Sequence, residues 1–291
     1  MKILVTGGSG YLGTSLKQEL RNRGNRVFSL SRSSGPHIDD LACDLTDMLE
    51  IDDICKKLSG EKITVAVHLA SKLMNETLSQ SDIFDHNLEI SQGFVRLAGL
   101  LMPSKVINAS STAVYPEISS TFDEESLIKP SVNSDALYGL SKFVAENLID
   151  ANLHSTNTQC IHLRIGQVYG DQMPEDRIIP VLRKELQIDS RMTLLGSGER
   201  IIPFVNISFL IDVIVKFIEN ETKSGVYNVV SENSSLIDIA HRIAHEEGVT
   251  EPVIVLVPEG KTSKFRVIAE KLCLLYTSPS PRDAHESRMP S

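Results

Sequence analysis

A glycine-rich turn near the start of the chain is the feature that most constrains its fold. The turn reads Gly-Gly-Ser-Gly-Tyr-Leu-Gly and follows a short apolar run typical of a buried parallel strand. Leucines at four-residue spacing come after it, as in a helix with one buried face. Gly7, Gly10 and Gly13 would let the chain turn tightly, approach a pyrophosphate and pack the helix against the strand. The stretch predicts a dinucleotide site at a helix N-terminus, with an ordinary tight turn as the alternative.

Composition narrows the class of protein further. The 291 residues carry a net charge of −9, with 41% hydrophobic and 23% charged residues, close to the usual values for globular proteins. Lysines and arginines form no dense cluster, which argues against nucleic-acid binding. None of the four cysteines forms a CxxC pair or lies near histidine at ligand spacing, so we expect reduced thiols and no metal site. With no apolar run of spanning length and no room for a signal peptide, we expect a cytoplasmic protein without membrane contact.

Strand and helix patterns alternate over the first 170 residues. Predicted strands at residues 2–5, 25–30, 63–70, 105–109 and 160–165 are separated by helical segments. Such alternation predicts an α/β fold, a doubly wound parallel (Rossmann) sheet with helices on both faces. The pattern loosens beyond Gly170, where prolines interrupt it. There we predict helices at 209–219 and 236–247 and short strands at 226–230 and 253–257. Residues 171–272 are therefore expected to form a small substrate-binding lobe beside domain 1–170, at the carboxyl ends of the strands.

The second predicted strand ends in Ser31 and Arg32 rather than in an acid. An acidic residue there would accept from the adenosine ribose and favour NAD, whereas an arginine tolerates a 2′-phosphate. The sequence thus slightly favours NADP as the cofactor. The alternative is that Arg32 is an ordinary loop arginine. Asp44 and the neighbouring Leu45 suit an adenine ring, although Asp44 could equally cap the helix that begins near Asp47.

Other polar residues follow the next two strands. The segment Leu69-Ala70-Ser71 is small enough for a ligand to pass close by, and Asn87 could reach that ligand or merely cap a turn. His68 is interpreted as a buried residue with a satisfied hydrogen bond rather than as a catalytic group.

Three residues suit proton transfer beside a nicotinamide. Tyr138 and Lys142 are four positions apart and share one face of a predicted helix. A nearby ammonium group favours tyrosinate, so we expect Lys142 to lower the pKa of the phenol, and it could also bind the nicotinamide ribose. Ser111 follows a strand and could orient the reacting oxygen. A YxxxK pair alone is commonly a surface pair, but its order after a glycine turn and a serine-rich strand end favours catalysis.

Together these motifs resemble the extended short-chain dehydrogenase/reductases, the NAD(P)-dependent epimerase/dehydratase group that acts mainly on nucleotide sugars. The resemblance covers about Met1 to Lys271. It implies that Ser111, Tyr138 and Lys142 form the catalytic triad and that a hydroxyl loses its proton and a hydride, giving a transient ketone. Homodimerisation through two long helices is also implied by the family. The expected cofactor-binding residues are Gly7, Gly10, Tyr11, Leu12, Gly13, Ser31, Arg32, Asp44, Leu45, Leu69, Ala70, Ser71, Asn87, Tyr138, Lys142 and Ile165.

Departures from the family pattern affect the expected substrate site, for which we name Thr112, Gln167 and Arg200. Similar 4,6-dehydratases carry Asp-Glu where this chain has Thr112 and Ala113, which argues against a dehydratase. Gln167 stands at a position where the similar epimerases often have asparagine. The arginine that usually grips the substrate diphosphate is absent from the segment 202–206. Arg200 lies two residues before that segment and could take its place; the alternative is a solvated loop charge.

Three functions stay open from the sequence. The first is an epimerase or reductase of a nucleotide-linked sugar, and the second is an NADPH-dependent carbonyl reductase of a non-nucleotide substrate. The third is a non-catalytic regulator that senses a dinucleotide, against which the intact catalytic residues argue.

The last nineteen residues, 273–291, differ in character from the rest of the chain. Back-translation of Cys273–Asp283 and of Ser287–Ser291 gives DNA that resembles the two ends of a transposase-type sequencing-library adapter. We therefore expect a disordered tail of non-native origin and a natural sequence that diverges at about Cys273.

Overall fold

The computed structural model describes residues 1–73 and 78–277. Its strands are β1 (Lys2–Thr6), β2 (Arg26–Ser31), β3 (Asp40–Ala42), β4 (Val65–His68), β5 (Lys105–Ser111), β6 (Ser120–Phe122), β7 (Gln159–Ile165), β8 (Gln167–Tyr169), β9 (Arg191–Leu195), β10 (Ile201–Asn206), β11 (Gly225–Val229), β12 (Glu232–Ser235), β13 (Val253–Val257) and β14 (Phe265–Val267). Its α-helices are α1 (Tyr11–Asn22), α2 (Met48–Leu58), α3 (Gln80–Leu101), α4 (Ala136–Leu153), α5 (Ile178–Asp189), α6 (Ile207–Glu219), α7 (Leu236–Glu246) and α8 (Glu270–Thr277).

Seven parallel strands form the main sheet in the order β11-β7-β5-β4-β1-β2-β3. After β1 the chain first extends the sheet through β2 and β3, then returns to the other side of β1 with β4. This reversal leaves a crevice at the carboxyl ends of β1 and β4, where ligands bind in sheets of this type. The predicted doubly wound α/β fold is confirmed.

Both faces of the sheet are covered by helices. On one face α1 and α6 pack apolar residues such as Leu16, Leu20 and Leu210 onto the sheet. On the other face α2, α3 and α4 contribute residues such as Ile51 and Phe94. Burial of both faces explains why the strands are nearly continuous apolar runs without polar alternation.

Local signals fix the helix boundaries. Ser79 and Asp82 form a reciprocal capping box at the start of α3, and the Asp47 side chain caps α2. Pro180, one of the prolines expected to interrupt the strand–helix pattern, lies in the first turn of α5. Proline is tolerated there because first-turn amides have no partner within the helix.

The boundary predicted at residue 170 does not divide the structure. The strand expected at residues 226–230 exists, but as β11 it joins the main sheet beside β7 instead of the lobe. The helix before it, α6, likewise packs on the main sheet. The physical reason is that α6 and β11 bury their apolar side chains against the sheet, which extends it by another parallel strand.

The lobe is therefore built from two separate segments. They share a small sheet in the order β12-β10-β8 and a two-stranded pair of β9 and β13. Helices α5 and α7 enclose its core, which includes Leu182, Met192 and Ile239. The expected tail begins inside α8, since Cys273–Thr277 is helical, and residues 278–291 lie outside the described part of the chain.

Candidate active site

A cleft of about 570 Å³ lies between the carboxyl ends of the main strands and the lobe. It contains most of the residues named from the sequence. Those that line it are Gly7, Gly10, Tyr11, Leu12, Gly13, Ser31, Arg32, Asp44, Leu45, Leu69, Ala70, Ser71, Ser111, Thr112, Tyr138, Lys142, Ile165, Gln167 and Arg200. Segments far apart in sequence thus meet at one site, as an enzyme cleft requires.

The glycine turn leaves the floor of the cleft free of side chains. Gly7 has a φ of +72°, and a Cβ on it would stand 2.7 Å from the backbone nitrogen of Ala70. A Cβ on Gly13 would collide with the carbonyl oxygen of Gly7. Helix α1 begins after Gly10 without a side-chain cap, so the first-turn amides are left for another acceptor. The turn fits a dinucleotide pyrophosphate, because such a group accepts from helix N-terminal amides.

At the end of β2 the cleft is polar and carries a cation. The Ser9 amide donates to Ser31 Oγ at 3.0 Å, and Arg32 lines the same region. Asp44 Oδ1 accepts from the amide and the hydroxyl of Thr46, each at 2.9 Å. These hydrogen bonds, with a smaller contribution from the charge of Arg32, hold the pKa of Asp44 below its ordinary value. Since Asp47 caps α2, Asp44 does not take the capping role left open by the sequence.

Asn87 is the predicted residue that does not line the cleft. It is buried in α3, where Oδ1 accepts from the Lys72 amide at 2.7 Å and from Ser71 Oγ at 3.2 Å. Its Nδ2 donates to the Lys72 carbonyl at 3.0 Å. Asn87 therefore holds the loop after β4, whose Ser71 and Lys72 line the cleft.

His68 has the structural role expected of it. Its Nδ1 lies 2.8 Å from Thr6 Oγ1, and its ring stacks on Phe94 with centroids 4.0 Å apart. Burial lowers the pKa of His68 to about 3, so the ring is neutral at physiological pH.

The three catalytic candidates meet at the carboxyl end of β5. Lys142 Nζ donates to the carbonyl oxygen of Ala109 at 2.9 Å and lies 5.7 Å from the ring centre of Tyr138. Ser111 Oγ accepts from the Ala113 amide at 3.1 Å, which caps the short 3-10 turn of residues 112–114. Gly139 brings α4 close to this turn, because a Cβ there would collide with the Ala113 carbonyl.

Burial dominates the electrostatics of the tyrosine and lysine. It raises the pKa of Tyr138 to about 12, although hydrogen bonding from Ser71 and Ser111 acts in the opposite direction. It also lowers the pKa of Lys142 to about 8, against the attraction of Glu146. The expectation that Lys142 lowers the phenol pKa is not met, since the cost of forming a buried phenolate is larger.

The lobe side of the cleft carries charges that the sequence did not single out. Glu117 Oε1 accepts from Arg200 at 2.6 Å and Oε2 from Lys261 at 2.6 Å. The Ser134 hydroxyl, just before α4, also donates to Glu117. Arg177, the residue before α5, lines the same side. No motif marks Glu117 or Arg177, because each acquires its place only when loop and lobe meet.

The fold and cleft define a dinucleotide-binding α/β enzyme. In agreement with this, residues 3–230 match the model of the NAD dependent epimerase/dehydratase family. The chain belongs to this family, of the extended short-chain dehydrogenase/reductase type, as its motifs predicted.

Two curated relatives and one solved structure illustrate what the chain is similar to. ADP-L-glycero-D-manno-heptose-6-epimerase of Cupriavidus pinatubonensis is 26% identical over 82% of this chain and 76% of its own length. The dTDP-4-dehydro-6-deoxyglucose reductase of Escherichia coli is 26% identical over 80% and 77%, respectively. The structure of UDP-glucuronic acid 4-epimerase from Bacillus cereus, in complex with UDP-glucuronic acid and NAD, has a TM-score of 0.79 at 24% identity. The alignment covers 96% of this chain and 94% of the Bacillus cereus chain, and the likeness shows the fold.

Among residues 1–73 and 78–277, no helix combines the length and apolar character needed to cross a bilayer. The same residues hold no group of three or more histidine, cysteine or acidic side chains placed to bind a metal ion.

Proposed function

We propose that this enzyme is an NAD(P)-dependent epimerase or reductase of a nucleotide-linked sugar, acting through a keto intermediate. The observation that carries the proposal is the convergence of Ser111, Tyr138 and Lys142 on the cleft that also contains the glycine turn. A regulator that only senses a dinucleotide needs the turn but not these three groups.

The chain's own residues supply proton transfer and orientation. When bound, the nicotinamide supplies or accepts the hydride. Tyr138 takes the proton of the substrate hydroxyl at its phenol oxygen, or returns it to a carbonyl oxygen in the reverse direction. The Lys142 ammonium stabilises the phenolate, and Ser111 donates to the reacting oxygen. Thr112 and Ala113 offer no acid or base for water elimination, which favours epimerisation or reduction over dehydration.

Positive charge in the lobe supports an anionic substrate such as a nucleoside diphosphate sugar. Glu117 neutralises only one of its two partners, Arg200 and Lys261, so one positive charge is left over. Arg177 is engaged only by a surface ion pair with the exposed Asp176 at 3.5 Å, which a phosphate can replace. Both arginines line the cleft, where guanidinium groups suit paired phosphates. Both curated relatives described above are named for nucleotide-linked sugars.

A non-nucleotide carbonyl substrate is the second candidate. It is favoured by the ion pair that already engages Arg200 and by the apolar Ile202 and Pro203 in the cleft wall. Net consumption of NADPH separates the two: a reductase oxidises it stoichiometrically, whereas an epimerase regenerates its cofactor.

For the cofactor we propose a modest preference for NADP. It is supported by Arg32 at the end of β2 and by the absence of an acid at Ser31. The family as a whole uses NAD, and the Bacillus cereus structure contains it, so this preference needs a direct test. We also propose that α3 and α4, which pack together, mediate a homodimer.

The test combines cofactor identification with one conservative substitution. Mass spectrometry of the purified protein should identify a bound dinucleotide, and turnover should be assayed on a panel of nucleotide sugars. Tyr138→Phe should lower turnover by roughly 10²–10⁴ while leaving dinucleotide affinity intact. Tyr227→Phe is the matched control, because its hydroxyl donates to the Lys223 carbonyl outside the cleft. Full turnover in Tyr138→Phe would refute the mechanism.

A further inference from the structure

A buried ion pair lies one helical turn beyond Lys142. Glu146, only 3% exposed, accepts from Arg164 Nε at 3.0 Å and from Arg164 Nη2 at 2.8 Å. Its Oε1 also accepts from Ser110 Oγ at 2.5 Å. The carboxylate thus joins the end of β5, next to Ser111, to the helix that carries Tyr138 and Lys142.

Arg164 is held on the far side of this carboxylate. Its Nη1 donates to the Tyr115 hydroxyl at 3.0 Å, and that hydroxyl donates to Asn228 Oδ1 at 2.9 Å. The guanidinium of this β7 residue is therefore linked through Tyr115 to Asn228 on β11, while Lys142 lines the cleft. Glu146 is thus paired with one buried cation, Arg164, and lies one helical turn from a second, Lys142.

The other charged or titratable groups near Lys142 do not replace Glu146. At physiological pH, His68 on β4 is neutral, and Tyr138, on the same helix as Lys142, is an uncharged phenol. Asp135 and Arg177 stand at the mouth of the cleft near Tyr138 and carry opposite charges. Glu146 is thus the nearby anion for a buried ammonium group that has lost most of its water.

We propose that Glu146 is a positioning residue that keeps Lys142 charged and holds the Ser110–Ser111 strand end against α4. Its importance for turnover rests on the proposed function, whereas its effect on the charge of Lys142 does not. Burial lowers the pKa of Lys142 and this carboxylate raises it, and the resulting pKa is about 8.

The charge of Lys142 can be measured without a substrate. In protein labelled with ¹³C at the lysine ε-carbon, the Lys142 signal is assigned by its loss in Lys142→Met. Its titration midpoint should lie near 8 in the unsubstituted protein. In Glu146→Gln the midpoint should fall by at least about one pH unit, the size expected when a close opposite charge is removed.

Asp150→Asn is the matched control. It removes one carboxylate from the same helix, at a position whose partner is His162 and whose side chain is 60% exposed. Its Lys142 midpoint should equal that of the unsubstituted protein. A folded Glu146→Gln protein with the same midpoint would overturn the proposal.

A second variant covers the case in which Glu146→Gln does not fold because Arg164 is left buried and unpaired. Glu146→Gln/Arg164→Met removes both charges while filling the space. Its Lys142 midpoint should lie below that of Arg164→Met, which loses the same cation but keeps the carboxylate, and equal midpoints in these two variants would also contradict the proposal.

Turnover measurements distinguish the proposed role of Glu146 from the proposed function of the enzyme. The high-pH limb of the activity profile should move down with the Lys142 midpoint in Glu146→Gln, whereas a purely structural role would lower activity equally at all pH values. If Tyr138→Phe abolishes turnover but this limb does not move, the positioning role fails and the proposed function stands. If Tyr138→Phe is fully active, the proposed function fails whatever the lysine midpoint shows.

Discussion

The Lys142 ammonium donates to the carbonyl oxygen of Ala109 at 2.9 Å, in a site that leaves only 7% of the lysine exposed. This bond does not compensate fully for lost hydration, because burial lowers the lysine pKa to about 8 from an ordinary value of 10.5. Between these two pH values the unfolded chain binds more protons than the folded one, so the stability rises with pH in that window.

Lys142→Met should consequently stabilise the protein while inactivating it. At pH 7 we expect a gain of about 2 kcal/mol in the free energy of unfolding, after allowing for the lost hydrogen bond. The gain should shrink as the pH rises from 8 towards 10.5. Urea unfolding at several pH values measures it, and turnover should fall at least about 100-fold. A variant less stable than the parent at pH 7 would contradict the burial argument.

The glycine turn should tolerate no side chain at Gly13. In Gly13→Ala the new methyl group would overlap the Gly7 carbonyl, so the turn must open. We expect a loss of about 2 kcal/mol or more in stability and at least a 100-fold loss in dinucleotide affinity. NADH fluorescence and thermal unfolding measure the two effects. Gly60→Ala is the control, since a Cβ there meets nothing within 4 Å, and its stability should change by no more than about 0.5 kcal/mol.

Local patterns in the sequence were enough to predict the sheet and most of the cleft. Each of these local patterns depends only on residues that are close together in the sequence. They are the glycine turn, the Tyr138–Lys142 spacing and the apolar strands. The strand near residue 226 was recognised for the same reason. Its partner was not, because periodicity indicates a strand but not which edge of which sheet it joins.

Residues whose role depends on distant contacts were harder to predict. Asn87 could be placed near a ligand, but only the structure shows its amide engaged by Ser71 and Lys72. Glu117 and Arg177 belong to no local motif. Their place in the cleft depends on the packing of the lobe on the sheet, which is determined by contacts between residues far apart in the chain.

Glu117 should make the stability sensitive to acid. Burial alone would raise its pKa, but hydrogen bonding from Lys261 and the charge of Arg200 bring the value down to about 2. The stabilisation from this carboxylate is complete above its unfolded pKa of 4.5 and is lost as the pH falls through 2.

Glu117→Gln should therefore cost about 2–3 kcal/mol at pH 7, and the difference from the parent should narrow below pH 4.5. Denaturant unfolding from pH 7 to pH 3 provides the comparison. Glu125→Gln removes a carboxylate whose pairing with Lys271 is at the surface, and its cost should stay below about 1 kcal/mol. If both substitutions lowered the free energy of unfolding equally, the contacts of Glu117 with Arg200 and Lys261 would contribute no more than a surface ion pair.

Arg32 should discriminate between the two dinucleotides. If it contacts a 2′-phosphate, Arg32→Ala should weaken NADPH binding by about 10- to 100-fold and leave NADH binding within about twofold. Fluorescence titration with both cofactors at one fixed ionic strength gives the ratio. Arg191→Ala, an exposed arginine in the lobe, controls for the loss of one positive charge. Equal weakening of both cofactors by Arg32→Ala would exclude a role in reading the phosphate.

Arg177 and Arg200 should be required for the diphosphate of the substrate. Removal of either guanidinium should raise the Kd for uridine or thymidine diphosphate by about 10- to 100-fold, because each charge-assisted contact with phosphate contributes about 1.5–3 kcal/mol. Affinity for NADH should not change, since both residues lie on the lobe side of the cleft.

Arg183→Ala is the matched control on α5, where the side chain pairs with Glu246 on the surface. Calorimetric titration of the three variants decides between the substrate classes. Unchanged diphosphate binding in both Arg177→Ala and Arg200→Ala would favour the non-nucleotide carbonyl substrate, for which the apolar wall at Ile202 and Pro203 provides the contact surface.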